Sequence, residues 1–134
     1  MLTKIISQIA VASITFIVLD ALWLGLVAKQ FYISNMGSFL NIENGSIKAN
    51  WLPTVLVYIV LIMGVVMFAV PKANGALSLA LLYGAILGLI TYGTYDFTNH
   101  AVMKDWPAIV TIVDVLWGMT ITSITTFMTV LLVK

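Results

Sequence analysis

Four long apolar stretches divide the chain, at approximately residues 5–27, 51–70, 76–97 and 107–133. Each reaches the ~20 residues that a helix needs to cross about 30 Å of hydrocarbon. The breaks carry helix punctuation. Pro53 and Pro107 stand near helix starts, where a missing N–H costs little. Pro71-Lys72-Ala73-Asn74-Gly75 reads as a tight turn, and Asp105-Trp106-Pro107 as a second short break. The one long connection, 28–50, mixes Phe31, Tyr32, Ile33, Met36, Phe39 and Leu40 with Asn, Ser and Gly. That mixture suits a short amphipathic helix lying at the interface. Within it, Asn44-Gly45-Ser46 matches a glycosylation sequon, a weak signal. The first stretch is too long for a signal-peptide h-region, contains Asp20 and lacks a small-x-small cleavage site, so it reads as a retained helix. The pattern predicts an all-α fold, an integral membrane four-helix bundle with antiparallel neighbours, in which residues 1–134 form a single transmembrane domain.

Composition changes this picture only by hardening it. Hydrophobic residues make up 62% of the 134 residues and charged ones 8%, too few for the polar shell of a soluble domain. There is no arginine and the net charge is +1, which excludes the dense cationic footprint of a nucleic-acid binder. Lacking the bidentate guanidinium fork, the chain is also poorly equipped to grip phosphate. With no cysteine, it has no disulfides, thiolate metal sites or cysteine nucleophiles. Four spans put both termini on one side, with Lys4, Lys72 and Lys134, against Lys29, Lys48 and Lys104 with Glu43 and Asp105 on the other. The cations balance; the short loop and the amino terminus tip the expectation toward cytoplasmic termini.

The polar residues are unevenly placed. Asp20 lies late in the first stretch, Asp114 early in the fourth and Asp96 at the far end of the third, so an antiparallel bundle brings all three to one leaflet. A rise of about 1.5 Å per residue sets Asp20 and Asp114 roughly 6–8 Å from the bilayer middle, and Asp96 nearer the interface, as a rim. An aspartate that deep costs about 2.5–3.5 kcal/mol on translocon scales, so two of them want a reason. Trp23, Trp51, Trp106 and Trp117 share the Asp end. Trp51 and Trp106 suit an interfacial belt, Trp23 and Trp117 a cavity wall. The last two belong to an echo: Asp20-Ala21-Leu22-Trp23 and Asp114-Val115-Leu116-Trp117 each put a carboxylate and an indole on one helical face. Gly25 and Gly118 follow, permitting close backbone approach, and the match has the form of a short inverted repeat. In the third stretch Gly84, Gly88, Tyr92 and Asp96 recur every fourth residue. The glycines read as a packing face. Tyr92, Tyr95, Asp96, Asn99 and His100 form its polar end, where Asp96 and His100 are spaced to pair or simply to face water. The hydroxyls of the fourth stretch (among them Thr111, Thr122, Ser123 and Thr126) read as packing glue, bonding back to carbonyls one turn earlier.

These same residues carry a resemblance that spans nearly the whole chain. Asp20-x-x-Trp23-Leu24-Gly25 with Phe31-Tyr32, Tyr95-Asp96-x-Thr98-Asn99, Trp106-Pro107 and Asp114-x-x-Trp117-Gly118 resemble a family of small four-helix bacterial inner-membrane proteins catalogued as a domain of unknown function. The resemblance implies a bacterial inner-membrane location. Members can accompany lipid-modifying enzymes, which tilts the expected ligand toward lipids.

Three functions compete. The first is a cavity near one leaflet that binds or modifies a lipid- or isoprenoid-like molecule. There Asp20 and Asp114 are the acid–base candidates, Asp96 with His100 a proton conduit, and Trp23, Trp117, Tyr92, Tyr95 and Asn99 the ligand contacts. With no Ser–His or Cys–His arrangement, such an enzyme would protonate, isomerise or hydrolyse. The second is proton, cation or small-solute transport. The opposite half of the bundle offers little beyond hydroxyls, Gln8 and Asn74, so a relay would need a homo-oligomer. Divalent metal binding by the three acids with His100 is a variant without a spacing signature, and no metal site is expected. The third is an accessory or structural subunit. Whether the chain is an enzyme stays open, and no cofactor is indicated. The partners expected are the lipid bilayer and a lipid-like ligand, not nucleic acid.

Overall fold

The computed structural model describes residues 1–133, so Lys134 lies outside the described residues. Four helices long and apolar enough to span a membrane form the body: α1 (Leu2–Val27), α3 (Trp51–Ala73), α4 (Leu77–Val102) and α5 (Ala108–Leu132). Between α1 and α3 come a short helix α2 (Lys29–Met36) and a hairpin of β1 (Ile42–Glu43) and β2 (Ser46–Ile47). Most of the surface is apolar, with large side chains such as Leu26, Val60, Phe68 and Ile90 turned outward. Such a surface has bilayer, not water, as its solvent. The all-α membrane fold is therefore as the hydrophobic pattern predicts.

The boundaries differ where local chemistry intervenes. Helix α3 runs through Pro71 to Ala73, beyond the expected end at 70. Its turn over Val65–Ala69 is wide, with the Val70 N–H bonded to the Val65 carbonyl. A wide turn just before Pro71 accommodates the ring and its missing N–H without breaking the helix. The reversal is then made by Asn74 and Gly75, both left-handed (φ 47° and 80°). Helix α4 continues five residues past 97, because no breaker precedes the left-handed Asp105 (φ 61°) and Pro107. Asn99 and His100 are thus helical. A second wide turn, closed by Ala28 N–H to the Trp23 carbonyl at 2.7 Å, ends α1 at Trp23–Val27.

The tightest packing joins α4 to α5, through glycine. A Cβ on Gly84 would fall 2.6 Å from the Ser123 Cα, and one on Gly88 would overlap the Gly118 carbonyl. The expected packing face is therefore real, and Gly118 is part of it, receiving the Tyr92 ring. Gly25 is not: nothing lies within 4 Å of where its Cβ would stand. The threonines act as glue, much as expected. Thr126 and Thr129 bond to carbonyls four residues back at 2.7 Å, while Thr122 and Ser123 also reach across to the Gly84 and Leu81 carbonyls.

Against this pair, α3 packs closely on α4 mainly through Val65–Ala73, at the turn end. Toward the other end the two helices part, leaving a cleft between them. The connection 28–50 departs from the expected interfacial helix. Helix α2 folds back on the bundle and buries Tyr32 and Met36 against Trp106 and Val110. The hairpin that follows turns on Asn44-Gly45, both with positive φ (51° and 70°), the geometry that matches strand twist in a two-residue loop. Lys29 ties it to α2 through Ser46 at 2.9 Å.

Candidate functional site

The wide turn at the end of α1 and the start of α5 bring the two Asp-x-x-Trp units together, and their indoles stack, with centroids 4.4 Å apart and planes 7° from parallel. Each indole serves the acid of the other helix. Trp117 Nε1 donates to Asp20 Oδ1 at 3.2 Å. Trp23 Nε1 donates to the Tyr32 hydroxyl at 3.3 Å, and Tyr32 in turn donates to Asp114 Oδ1. The echo thus becomes a cross-brace, with Asp20 bonded to one indole of the stack and Asp114 reached from the other through Tyr32. Tyr58 of α3 completes it, donating to Asp20 Oδ2 at 2.7 Å.

Tyr32 and Tyr58 were not among the expected site residues. Tyr58 had a signal: with Thr54 it supplies the only hydroxyls in the apolar run 51–70. Tyr32 had only its place in the Phe31-Tyr32 motif. Burial and then the neighbouring Asp114 hold the Tyr32 phenol well above the usual tyrosine range, so it remains a hydrogen-bond donor at any ordinary pH. Removing that hydroxyl with Tyr32→Phe should loosen α2 by about 1 kcal/mol. Amide hydrogen exchange over Lys29–Met36 is expected to quicken roughly fivefold; unchanged protection would mean the bond does not anchor the segment.

Asp96 is not the shallow rim residue expected. It is 0% exposed, and neither carboxylate oxygen has a partner. Helix α4 runs on to Val102, so Asp96 stands within it rather than at its end, and it is enclosed by the protein. His100 is exposed and makes no hydrogen bond to Asp96, so that pair does not form. Asn99 is half-buried. Trp106 likewise departs from the belt reading: only 7% exposed, it donates to Thr111 at 3.0 Å and packs edge-on against Tyr95. Trp51, at 72% exposed, suits a belt. Among the described residues no three His, Cys, Asp or Glu side chains converge as a metal ion would require.

The cleft between α3 and α4 has a volume of about 570 Å³. Val57, Val60, Ile90 and Tyr95 stand exposed at its apolar mouth, Tyr58 and Tyr92 line its walls, and both Asp20 and Asp114 reach it. Asp96 stands one turn beyond Tyr92 on α4 and is not part of the lining. Of the expected contacts, then, Tyr92 and Tyr95 line the cleft, while Trp23, Trp117 and Asn99 lie outside its lining. The arrangement offers carboxylate acceptors beside an apolar, laterally open volume within the span.

Fold and site together define a four-span membrane protein with a conjoined Asp–Trp–Tyr cluster at one end. The family described as "Predicted membrane protein (DUF2177)" matches residues 5–131, and the chain belongs to it. No curated protein and no solved structure matches.

Proposed function

We propose that this protein holds a lipid- or isoprenoid-like amphiphile in the cleft between α3 and α4, its chain toward the bilayer and its head at the acids. The observation that carries this reading is the cleft itself. Its volume falls in the range of small-molecule sites, about 300–1,000 Å³, and it combines an apolar mouth with a few convergent polar groups. If the bound molecule is also changed, the step is a proton transfer or hydrolysis in which Asp114 and Asp20 act as acid and base. Nothing nearby resembles an activated Ser or Cys nucleophile. The location that accompanies this reading is the bacterial inner membrane with both termini cytoplasmic.

Transport is less well supported. In the terminal half of α5 the hydroxyls of Thr126 and Thr129 are engaged with their own helix, and the buried Thr125 hydroxyl, which has no partner among the described residues, is too little to continue a relay from the acids. An accessory role draws on Asp20, whose two oxygens are both bonded within the protein, but leaves Asp96 and the cleft without a purpose.

Gentle purification followed by mass spectrometry of co-purifying lipids tests the proposal. One lipid class is expected to be enriched over the bulk membrane. Asp114→Asn should elute as folded protein but retain it about tenfold less, the worth of one hydrogen bond to a charged group, and Asp20→Asn should also retain less of it, through the Tyr58 that Asp20 holds at the cleft wall. Unchanged retention in both variants would overturn the reading.

A further inference from the structure

The balance of donors and acceptors around the acids bears on what head the cleft takes. The donors that reach Asp20 and Asp114 are all committed inside the protein: Tyr58 and Trp117 to the two oxygens of Asp20, Tyr32 to Asp114 Oδ1, and Trp23 to Tyr32. What is left over is acceptor. Asp114 Oδ2 has no protein donor among the described residues, and the fully buried Asp96 has none on either oxygen. Asp96 does not itself line the cleft, but it stands one turn beyond Tyr92, which does. A buried acceptor without a donor is costly, and an ionised one more so.

Among the described residues no cation lines the cleft to offset this. Arginine is absent; Lys29 is bonded to Ser46, Lys48 pairs with Glu43 on the hairpin, and Lys104 is exposed beyond the end of α4. A phosphate head would therefore meet carboxylates with nothing to neutralise it. A hydroxyl head could donate, but without charge. An ammonium supplies three donors and a positive charge, and the aromatic lining of Tyr58, Tyr92 and Tyr95 favours a cation over an anion. Resting on the cleft reading above, we infer that the site selects amine-headed amphiphiles over phosphate- or hydroxyl-headed ones of the same chain.

The test uses three photoreactive probes sharing one alkyl chain with a diazirine near its head and ending in a primary amine, a phosphate or a hydroxyl. The full chain is placed in phosphatidylcholine nanodiscs and the crosslinks are mapped by mass spectrometry. The amine probe is expected to label segments 57–61 and 90–95 about tenfold more than either other probe, again the worth of one charge-assisted bond. Asp114→Asn should abolish that preference, whereas Asp105→Asn, an acid outside the cleft, should not. Equal labelling by the three heads, or a preference for phosphate or hydroxyl, would overturn the inference and leave the cleft reading standing. Equal loss of the preference in Asp105→Asn would overturn it too, as mere surface attraction. Labelling confined to residues outside the cleft with every probe would sink the cleft reading and the inference together. The comparison of heads on the unaltered protein needs no variant, so it decides between these outcomes even if Asp114→Asn misfolds.

Discussion

Valine in place of Gly88 is expected to abolish the folded bundle. A single Cβ at that position would already overlap the Gly118 carbonyl and the Thr122 hydroxyl. Two further methyls would have to be housed in the tightest contact of the molecule. The obstructing atoms on Gly118 are backbone, so no side-chain rotation relieves the clash; α4 and α5 must separate. Overpacking a core usually costs about 1–3 kcal/mol, and a backbone obstruction belongs at or above the top of that range. Separation would also break the Thr122 and Ser123 bonds to the Gly84 and Leu81 carbonyls, which exist only because the helices lie so close. The measurement is the detergent or nanodisc unfolding midpoint, alongside the yield of monodisperse protein. Gly25→Ala is the control. Nothing stands near its Cβ position, and alanine is the better helix former by up to about 1 kcal/mol, so that variant should match or exceed the parent. A Gly88→Val protein as stable as the parent would mean the interface is not packed as described.

What could be read in the sequence follows from the range of the interactions involved. Hydropathy reports on solvent, so the four spans were legible, and Gly84 with Gly88 announced a packing face by spacing alone. That Asp20 and Asp114 meet at one end of the bundle with their companion tryptophans was legible too, since helical rise and periodicity are local rules. Which tryptophan serves which acid was not. Spacing pairs Asp20 with Trp23, whereas the fold pairs Asp20 with Trp117, because the side chains of opposed helices meet across the stack. The role of the long connection was hidden for a similar reason: Tyr32 finds Asp114 only once α2 folds back. The hairpin had a local signal, Asn44-Gly45, which the sequon reading obscured. Asp96 misled because position along a helix gives depth in the bilayer and not burial by neighbours. Its enclosure is a tertiary property that spacing along one helix does not report.

Asp20→Leu is expected to weaken the bundle by roughly 1–3 kcal/mol, since it removes the acceptor of two interhelical bonds, from Tyr58 and Trp117. Interhelical hydrogen bonds in membranes average about 0.6 kcal/mol and reach about 1.7, so two of them span that range. A double-mutant cycle isolates the Tyr58 share. Asp20→Leu and Tyr58→Phe, alone and combined, should show a coupling of about 0.6–1.7 kcal/mol by steric-trap unfolding, and strict additivity would deny the bond. The comparison with insertion is more telling. Carrying an aspartate to this depth costs about 2.5–3.5 kcal/mol on translocon scales, and leucine there is favourable. Asp20→Leu should therefore insert α1 more readily while assembling the bundle less firmly. Two hydrogen bonds of average size, about 1.2 kcal/mol together, fall short of the insertion cost of the acid they hold. Stability alone is then a poor reason for Asp20, and a worse one for Asp96, which receives no protein hydrogen bond at all. A group that costs more than it contributes to folding is what a binding site requires, and this is the physical ground for assigning the acids to the occupant of the cleft. Were the couplings of Asp20 to Tyr58 and to Trp117, measured by two such cycles, together to exceed the insertion cost, the acid would be accounted for as structure and that assignment would fall.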